Sequence, residues 1–428
     1  MKQLEQLKNE ILNHHHDNRL KEIYGNDPKD LEIQTKRYLN LIETYSQTFS
    51  TDHEVSFFST PGRSEICGNH TDHQYGKVLA ASINLDAVAL VSKNEESCIS
   101  LHSTGFEIPS VHLDDLSIHP EEAGTSQALI RGIAARLKEL GYRVGGFNAV
   151  MTSDVLSGSG LSSSAAFEVL VTTIFSYLYN EATIDPVTIA QISQYAENQY
   201  FMKPCGLMDQ CACSVGGFIS IDFYHSHSPI VEQLDFDFNQ TNYQLCISDT
   251  RGDHANLTDE YAAIPYEMKQ VAQALGEEHL SHCDETIFYQ NLHQLRQQLD
   301  DRSILRAIHL FEENHRVDQL KSALNQHDID QFLEIINASG RSSFMYLQNI
   351  YANFNIQNQP VSLALALSQH LLEGKGAYRV HGGGFAGTIQ AFVSKEDVAN
   401  YKQAIDQLFG ENSCHILNIR NIGSTRVF

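Results

Sequence analysis

The segment Gly158 to Ala165 combines two glycines with three consecutive hydroxyl side chains, directly before the largely apolar run Ala166 to Tyr179. The preceding residues, about Phe147 to Val155, are typical of a strand. A turn of this kind between a strand and a helix presents backbone N–H groups at the helix N-terminus, where an anion such as a nucleotide polyphosphate binds. No Gly-Lys-Ser/Thr follows the glycines, so the loop is not a Walker motif. The alternative is a turn that only caps a buried helix.

A second polar cluster lies between Pro61 and His73, where Arg63, Asn69, His70 and Asp72 alternate with glycines. Side chains of these types donate and accept hydrogen bonds in the way that a polyhydroxylated ligand requires. Taken alone, the cluster is more typical of a polar turn with helix caps than of a binding site.

Two carboxylates and a glycine run complete the set of residues that could do chemistry. Asp209 follows Leu207 and Met208, an apolar setting that suits either a general base or a helix cap. Glu197 precedes it on a predicted helix. The three glycines Gly382 to Gly384 allow a backbone to approach a ligand closely, or form a bend before a strand.

The elements that must position these residues are predicted to be mixed helix and strand in both halves of the chain. Val78 to Val91 alternates as a half-buried strand, and Ser126 to Leu140 has one apolar helical face. Asp185 and Pro186 open a helix that is predicted to reach about Met202. Further helices are predicted over Asp259 to Leu275, Ser303 to Glu312, Val317 to Ala338 and Val361 to Leu372.

Composition restricts the class of protein. A chain of 428 residues is expected to form two domains. The 29 basic and 53 acidic side chains give a formal charge of −24, which disfavours nucleic acid and anionic membranes as partners. Eight cysteines without a CxxC pair, and an N-terminus without an apolar signal region, predict reduced thiols and a cytoplasmic location.

The order of the motifs resembles the GHMP-type small-molecule kinases. Gly158 to Ala165 is similar to their Gly-Leu-Ser-Ser-Ser-Ala phosphate loop, and Val380 to Gly387 is similar to their C-terminal glycine motif. Pro61 to Asp72 resembles the galactokinase signature Gly-Arg-Val-Asn-Leu-Ile-Gly-Glu-His-Thr-Asp-Tyr. Pro204 to Gln210 resembles the Gly-Ile-Met-Asp-Gln segment of that branch, and Arg251 to Tyr261 resembles its Arg-His-Ser-Leu-Ala-Ser-Ser-Glu-Tyr stretch less closely.

The resemblance, over about residues 55 to 428, implies an α+β, two-domain GHMP-kinase-like fold with mixed sheets and an active site in the interdomain cleft. The signature and phosphate loop fall in a domain of residues 1–225, and the glycine motif falls in a domain of residues 226–428. The implied activity is transfer of a phosphoryl group from ATP, with Mg²⁺, to the anomeric C1 hydroxyl of a hexose, with D-galactose expected first. A monomer is expected.

The resemblance also implies a role for each motif residue. Asp209 would act as base or electrostatic element, with Arg63 beside it. The sugar would be bound by Asn69, His70, Asp72, Gly206 and Tyr261; the nucleotide by Gly158, Gly160, Leu161, Ser162, Ser163, Ser164, Gly383 and Gly384; and Mg²⁺ by Ser164 and Glu197.

Three departures from the family pattern leave alternatives open. Asn69 stands where the signature has Glu, and His73 stands where it has Tyr. The Glu normally accepts from a sugar hydroxyl, so the change at Asn69 indicates a pocket altered around C6. Galacturonate or N-acetylgalactosamine is therefore an alternative acceptor, and a non-catalytic sugar- and nucleotide-sensing homologue is a further alternative. The first fifty residues exceed the usual family lead-in.

Overall fold

A computed structural model of the chain describes residues 1–103, 105, 108–156, 160–225, 228–252 and 257–428. The strands are β1 Lys2–Gln3, β2 Glu54–Cys67, β3 Lys77–Lys93, β4 Cys98–Ser103, β5 Val111–His112, β6 Phe147–Ser153, β7 Phe218–Asp222, β8 Ile230–Leu234, β9 Tyr243–Asp249, β10 Ala377–His381, β11 Thr388–Ser394, β12 Cys414–Leu417 and β13 Thr425–Arg426.

The helices alternate with these strands in both halves of the chain. They are α1 Leu4–Leu12, α2 Asp17–Tyr24, α3 Pro28–Thr48, α4 Ser126–Glu139, α5 Ser163–Tyr179, α6 Pro186–Gln199, α7 Met208–Val215, α8 Thr258–Ala274, α9 Glu285–Gln290, α10 Leu292–Gln298, α11 Asp301–Asn325, α12 Ile329–Ser342, α13 Pro360–Leu372 and α14 Val398–Phe409. Of the described helices, none combines enough length and apolar character to cross a membrane.

The described strands form two sheets. The larger sheet has the order β1-β2-β3-β6-β4-β5, with β13 and β7 adding to β2 and β3, and β8 adding to β7. The smaller sheet has the order β10-β11-β9-β12 and is antiparallel. This mixed α and β architecture confirms the predicted fold class. The predicted division between residues 225 and 226 stays a prediction.

The long strands β2 and β3 pair with each other, and β2 carries Arg63. Their register shifts between Pro61 and Arg63, and again between Glu65 and Cys67. Such bulges bend a strand and redirect the side chains beside them. Arg63 therefore lies on a buried strand, whereas Asn69, His70 and Asp72 follow that strand in a turn and a short 3₁₀ helix.

Most predicted elements agree with the structure to within a few residues, but one helix break is wrong. The sequence predicts two helices with a break between them, Ser303 to Glu312 and Val317 to Ala338. In the structure α11 runs without interruption to Asn325, and the break comes after that residue. Glu313 and Arg316, which lie in the predicted break, are buried and ion-paired at 2.6 Å. The polar residues therefore face a buried contact instead of ending the helix.

The first fifty residues fold as a helical layer on the larger sheet. Helices α1 to α3 bury apolar side chains such as Leu7, Leu20 and Leu41 against Phe57 and Leu90 of the sheet. Strand β1 also pairs with the start of β2. Burial of this apolar surface is what holds the extra segment on the domain.

A buried carboxylate ties the helical layer to the sheet. Asp86, fully buried on β3, accepts from Arg37 of α3 at 2.6 Å and from Tyr24 of α2 at 2.8 Å. Arg420 also donates to Asp86, at 3.2 Å. Arg37 lies 2.9 Å from Asp154 as well, just after β6 and ahead of the phosphate loop.

Replacement of Arg37 by methionine should lower the free energy of unfolding by about 3 kcal/mol, because it removes one partner of a buried charge. Urea denaturation measures this loss. The matched control is Lys36→Met on the same helix, where the lysine pairs with Glu32 in solvent and a much smaller loss is expected. Equal losses in the two variants would contradict a buried role for Arg37.

Candidate active site

Arg63 joins three of the motifs that the sequence analysis singled out. Its guanidinium forms a two-pronged ion pair with Asp209 of α7, with Nε 2.8 Å from Oδ1 and Nη2 2.6 Å from Oδ2. Its Nη1 donates to the carbonyl oxygen of Gly160, and its backbone N–H donates to the carbonyl of Leu161 at 3.1 Å. Burial alone would lower the pKa of Arg63, but the charge of Asp209 outweighs it and the pKa lies above its usual range.

The described part of the phosphate loop closes onto the same carboxylate. Ser162 has a left-handed backbone, with φ of 59°, directly before Ser163 begins α5, and its hydroxyl donates to Asp209 Oδ2. Leu161 is buried, whereas Ser162 and Ser163 are half-buried at the helix N-terminus. Gly158 lies outside the described residues. The loop therefore places hydroxyls and the positive end of a helix beside Asp209.

A second group of acidic and amide side chains lies one turn further along α5. Ser164 Oγ is 3.4 Å from Glu197 Oε1 of α6. Gln210 Nε2 bridges the two buried carboxylates, 2.9 Å from Glu197 Oε2 and 3.1 Å from Glu168 Oε2. Burial, and then the charge of Glu197, raises the pKa of Glu168 well above its usual range.

The oxygen atoms of this group fit a hard divalent cation. Ser164 and Glu197 supply a hydroxyl and a carboxylate, and Glu168 Oε1 is buried without a hydrogen-bond partner. Within the described ranges, no three His, Cys, Asp or Glu side chains converge as a metal cluster. Such a cation would therefore take most of its ligands from phosphate and water, as Mg²⁺ commonly does.

His70 and Asp72, two of the residues predicted to bind the sugar, lie just after the end of β2, the signature strand. Asp72 and His70 are half-buried, and His70 Nε2 lies 2.9 Å from the carbonyl oxygen of Gly383. Burial lowers the pKa of His70 to about 4, so the imidazole is neutral near neutral pH. A Cβ at Gly206 would lie 2.6 Å from Asp72 Oδ2. The backbone just before α7 therefore packs closely against this carboxylate.

The glycine motif of the second half reaches the same place. Tyr261 donates from its hydroxyl to the carbonyl of Gly384 at 2.9 Å, and its ring lies where a Cβ at Gly383 would clash. Gly384 has a φ of 82°, and its Cβ would meet the Asn349 carbonyl. Glycine is therefore required at this close approach.

Asn69 is buried within a network of protein groups. Its Nδ2 donates to Glu65 Oε1 at 3.0 Å and to the Gly382 carbonyl at 2.8 Å, and its Oδ1 accepts from Asn349 at 2.8 Å. Glu65 also pairs with buried Arg379 at 3.0 Å. The galactokinase signature has Asn at position 65 and Glu at position 69. In this chain the amide and the carboxylate are exchanged, and the two side chains are hydrogen-bonded to each other.

Two residues that the sequence analysis did not single out hold the signature strand's end. Glu313 Oε1 accepts from the Gly68 backbone N–H at 3.1 Å, and His309 Nε2 lies 3.0 Å from the Asn69 carbonyl. Burial alone would raise the pKa of Glu313, but the Arg316 guanidinium outweighs it and the pKa lies below its usual range. In the sequence these residues appear only as charged and polar side chains at helical spacing. That pattern is equally typical of a solvent-exposed helix face.

Glu168 and Lys203 were also missed. Glu168 is an isolated carboxylate in an otherwise apolar helix, which is a detectable signal because an unpaired buried charge is costly. Lys203 carries no such signal.

The chain is similar in sequence and in fold to known small-molecule kinases. The family model for the GHMP kinases N terminal domain matches residues 128–217, which contain the phosphate loop, Glu197 and Asp209. The fold is similar to that of the Methanococcus jannaschii mevalonate kinase, with a TM-score of 0.61, 14% identity, and coverage of 86% of this chain and 98% of that chain. The matched domain and the fold are therefore similar to those of the GHMP kinases.

Within that class, the model for the galactokinase galactose-binding signature matches residues 43–93. Galactokinases from Lactobacillus helveticus and Ligilactobacillus salivarius are 27% and 29% identical, over 86% and 88% of this chain and 93% and 94% of theirs. The Lactococcus lactis galactokinase complexed with galactose has a similar fold, with a TM-score of 0.76, 23% identity, and coverage of 90% of this chain and 98% of that one. The resemblance to the galactokinase branch of the GHMP kinases is confirmed.

Protonation of His309 should destabilise the fold as the pH falls. Burial lowers the pKa of His309 from the ordinary histidine value of 6.5 to about 4, so between those values the unfolded chain binds more protons than the folded chain. The free energy of unfolding should therefore fall between about pH 7 and about pH 5, and it should fall less in His309→Gln. Urea denaturation at the two pH values measures the difference.

The control is His315→Gln, which removes an exposed imidazole from the same helix. If His309→Gln loses as much stability on acidification as the wild type does, His309 is not one of the groups responsible.

Proposed function

We propose that the protein transfers a phosphoryl group from ATP to the anomeric C1 hydroxyl of D-galactose. The observation that carries the proposal is the Arg63–Asp209 ion pair, which is bonded to Gly160 and Ser162 of the phosphate loop. The carboxylate that we propose for the acceptor hydroxyl therefore lies beside the loop that we propose for the donor phosphates. Galactokinase relatives that align with most of the chain support the same activity.

Asp209 is the group that would receive or orient the acceptor proton. Its Oδ2 accepts from both Arg63 and Ser162, whereas Oδ1 accepts from Arg63 Nε. A carboxylate oxygen has two lone pairs, so Oδ1 keeps one for a sugar hydroxyl. About a third of the Asp209 side chain is exposed, at 32%, which leaves it accessible to a substrate.

Arg63 would align the carboxylate that binds the sugar hydroxyl with the loop that binds the ATP phosphates. Because its guanidinium is planar and binds Asp209 at two points, it fixes the direction of the carboxylate. Its positive charge also lies next to the loop that would hold the transferring phosphoryl group. Phosphoryl transfer depends mainly on such alignment and charge compensation.

Ser164 and Glu197 are the residues that would hold Mg²⁺, with the nucleotide phosphates and water completing its ligands. Bound there, the ion supplies charge neutralisation of the phosphates. Gly160, Ser162 and Ser163 would contact the phosphates through backbone and hydroxyl donors.

Asp72, His70, Gly206 and Tyr261 would bind the sugar. The Asp72 carboxylate can accept hydrogen bonds from two vicinal sugar hydroxyls. The neutral His70 adds a ring nitrogen to the same side of the proposed pocket. Gly383 and Gly384 would bring the second half of the chain over the site. A monomer in the cytoplasm is part of the same proposal.

Asp209→Asn should lower kcat at least about 100-fold, because the amide cannot accept a proton in the transition state. A coupled ADP-release assay with galactose measures kcat, and calorimetry checks that galactose still binds. The control is Asp222→Asn, whose side chain is equally exposed, at 32%, and lies at the end of β7 away from the loop. A wild-type kcat in Asp209→Asn would refute the assignment of the base.

The exchange of Glu65 and Asn69 favours a second candidate, in which the acceptor carries a different group at C6. The carboxylate that the signature has at position 69 lies instead at position 65, buried against Arg379. Asn69 carries no negative charge. Both of its N–H groups are used by the protein, so it also has no spare donor. Galacturonate, whose C6 is a carboxylate, would no longer be repelled here. N-acetylgalactosamine remains an alternative acceptor.

The double variant Glu65→Asn with Asn69→Glu restores the family's arrangement and should shift kcat/KM from galacturonate toward galactose by about tenfold or more, because it returns a negative charge to the C6 side. An ADP-release assay over galactose, galacturonate and N-acetylgalactosamine measures both proteins. If the wild type phosphorylates galactose efficiently and ignores galacturonate, the altered-acceptor candidate is wrong. Sugar binding without turnover of any sugar would instead favour the non-catalytic homologue.

A further inference from the structure

Lys203 lies beside the group that would hold the nucleotide, and none of the motifs includes it. Its Nζ is 3.1 Å from Glu197 Oε1, the same oxygen that lies 3.4 Å from Ser164 Oγ. Its backbone N–H donates to the Glu197 carbonyl, also at 3.1 Å. The lysine is therefore bound twice to the carboxylate residue that faces the N-terminus of α5.

The backbone before Lys203 directs it to this position. Met202 has a left-handed conformation, with φ of 63°, although it is not a glycine. Such a conformation is uncommon for a long side chain and is maintained only where the surroundings require it. Here it reverses the chain after α6 and returns Lys203 over Glu197, while the Met202 side chain stays exposed.

The exposure of the pair indicates which of its partners is fixed. The Glu197 side chain is 3% exposed, whereas the Lys203 side chain is 60% exposed. The carboxylate is also bonded to Gln210, so it forms the rigid end of the pair. The ammonium has three donors, of which Glu197 Oε1 takes one, and its open side faces solvent.

The charge balance of the site favours an anion next to this ammonium. The other described cation at the loop, Arg63, is committed to Asp209 and to the Gly160 carbonyl. A chain with a formal charge of −24 repels a nucleotide polyphosphate overall, so binding requires a local cation with donors to spare.

We propose that Lys203 is a phosphate-binding residue of the nucleotide site, with its ammonium anchored on Glu197 and its remaining donors directed to the polyphosphate. The inference rests on the proposed nucleotide site and adds to it a cation that the family resemblance does not assign. The ammonium would neutralise phosphate charge next to Ser164, beside the position where Mg²⁺ would bind.

The test is calorimetric titration of ATP into the full-length protein in EDTA, where no divalent cation screens the phosphates and no turnover occurs. Lys203→Met should weaken ATP binding at least about tenfold, the effect of one charge-assisted hydrogen bond. Lys203→Arg keeps the charge and should bind within about threefold of the wild type. Excess Mg²⁺ should reduce the loss in Lys203→Met, because the ion neutralises the same phosphates.

Two controls separate binding from structure. Lys36→Met removes one lysine from an exposed ion pair on α3 and should bind ATP as the wild type does. Galactose binding should be unchanged in all three variants.

Equal ATP affinity in Lys203→Met and the wild type would overturn the inference. So would a loss of galactose binding together with ATP binding in both Lys203 variants, since that would show a role in holding the fold. If the wild type binds no ATP with or without Mg²⁺, the proposed function itself fails.

Discussion

The two-pronged ion pair between Arg63 and Asp209 is the interaction on which the site depends. Arg63 comes from a bulged strand, Asp209 comes from the first turn of α7, and the same guanidinium holds the Gly160 carbonyl. A planar, multivalent cation is suited to this task because it fixes the relative direction of three segments at once. Loss of this geometry would separate Asp209, which we propose as the base, from the loop that we propose for the phosphates.

The second half of the chain contributes the restraints that keep the signature strand in place. Buried Glu313 binds the Gly68 N–H, and His309 binds the Asn69 carbonyl. Tyr261 and Asn349 bond to Gly384 and Gly383, which close the same end of the site. Because these partners come from distant parts of the sequence, folding of the second half is coupled to the shape of the site that we propose for the sugar.

Charge is distributed so that each carboxylate near the loop has its own compensation. Asp209 pairs with Arg63, Glu197 pairs with Lys203, and burial raises the pKa of Glu168, which favours its neutral form. This arrangement limits the repulsion that an acidic protein would otherwise exert on a polyphosphate. It also connects the two proposals, since the acceptor base and the donor cradle use adjacent but separate ion pairs.

The sequence alone determined the elements and the order of the motifs, because both arise from local patterns. The apolar run after Ser164 predicts α5, and Asp185 with Pro186 predicts the start of α6, where Asp185 caps Val187 and Thr188 in the structure. The resemblance to the GHMP kinases also rests on short, contiguous segments. The fold class and most helix bounds were predictable for that reason.

Only the tertiary structure decided which side chains meet. The predicted helix break falls on Glu313 and Arg316, yet Glu313 is a buried residue that binds the backbone just after β2. The exchange of Glu65 and Asn69 looks like two unrelated substitutions until their side chains are found 3.0 Å apart. Contacts between residues distant in sequence, and the burial that sets their charge, depend on packing, which local periodicity does not encode.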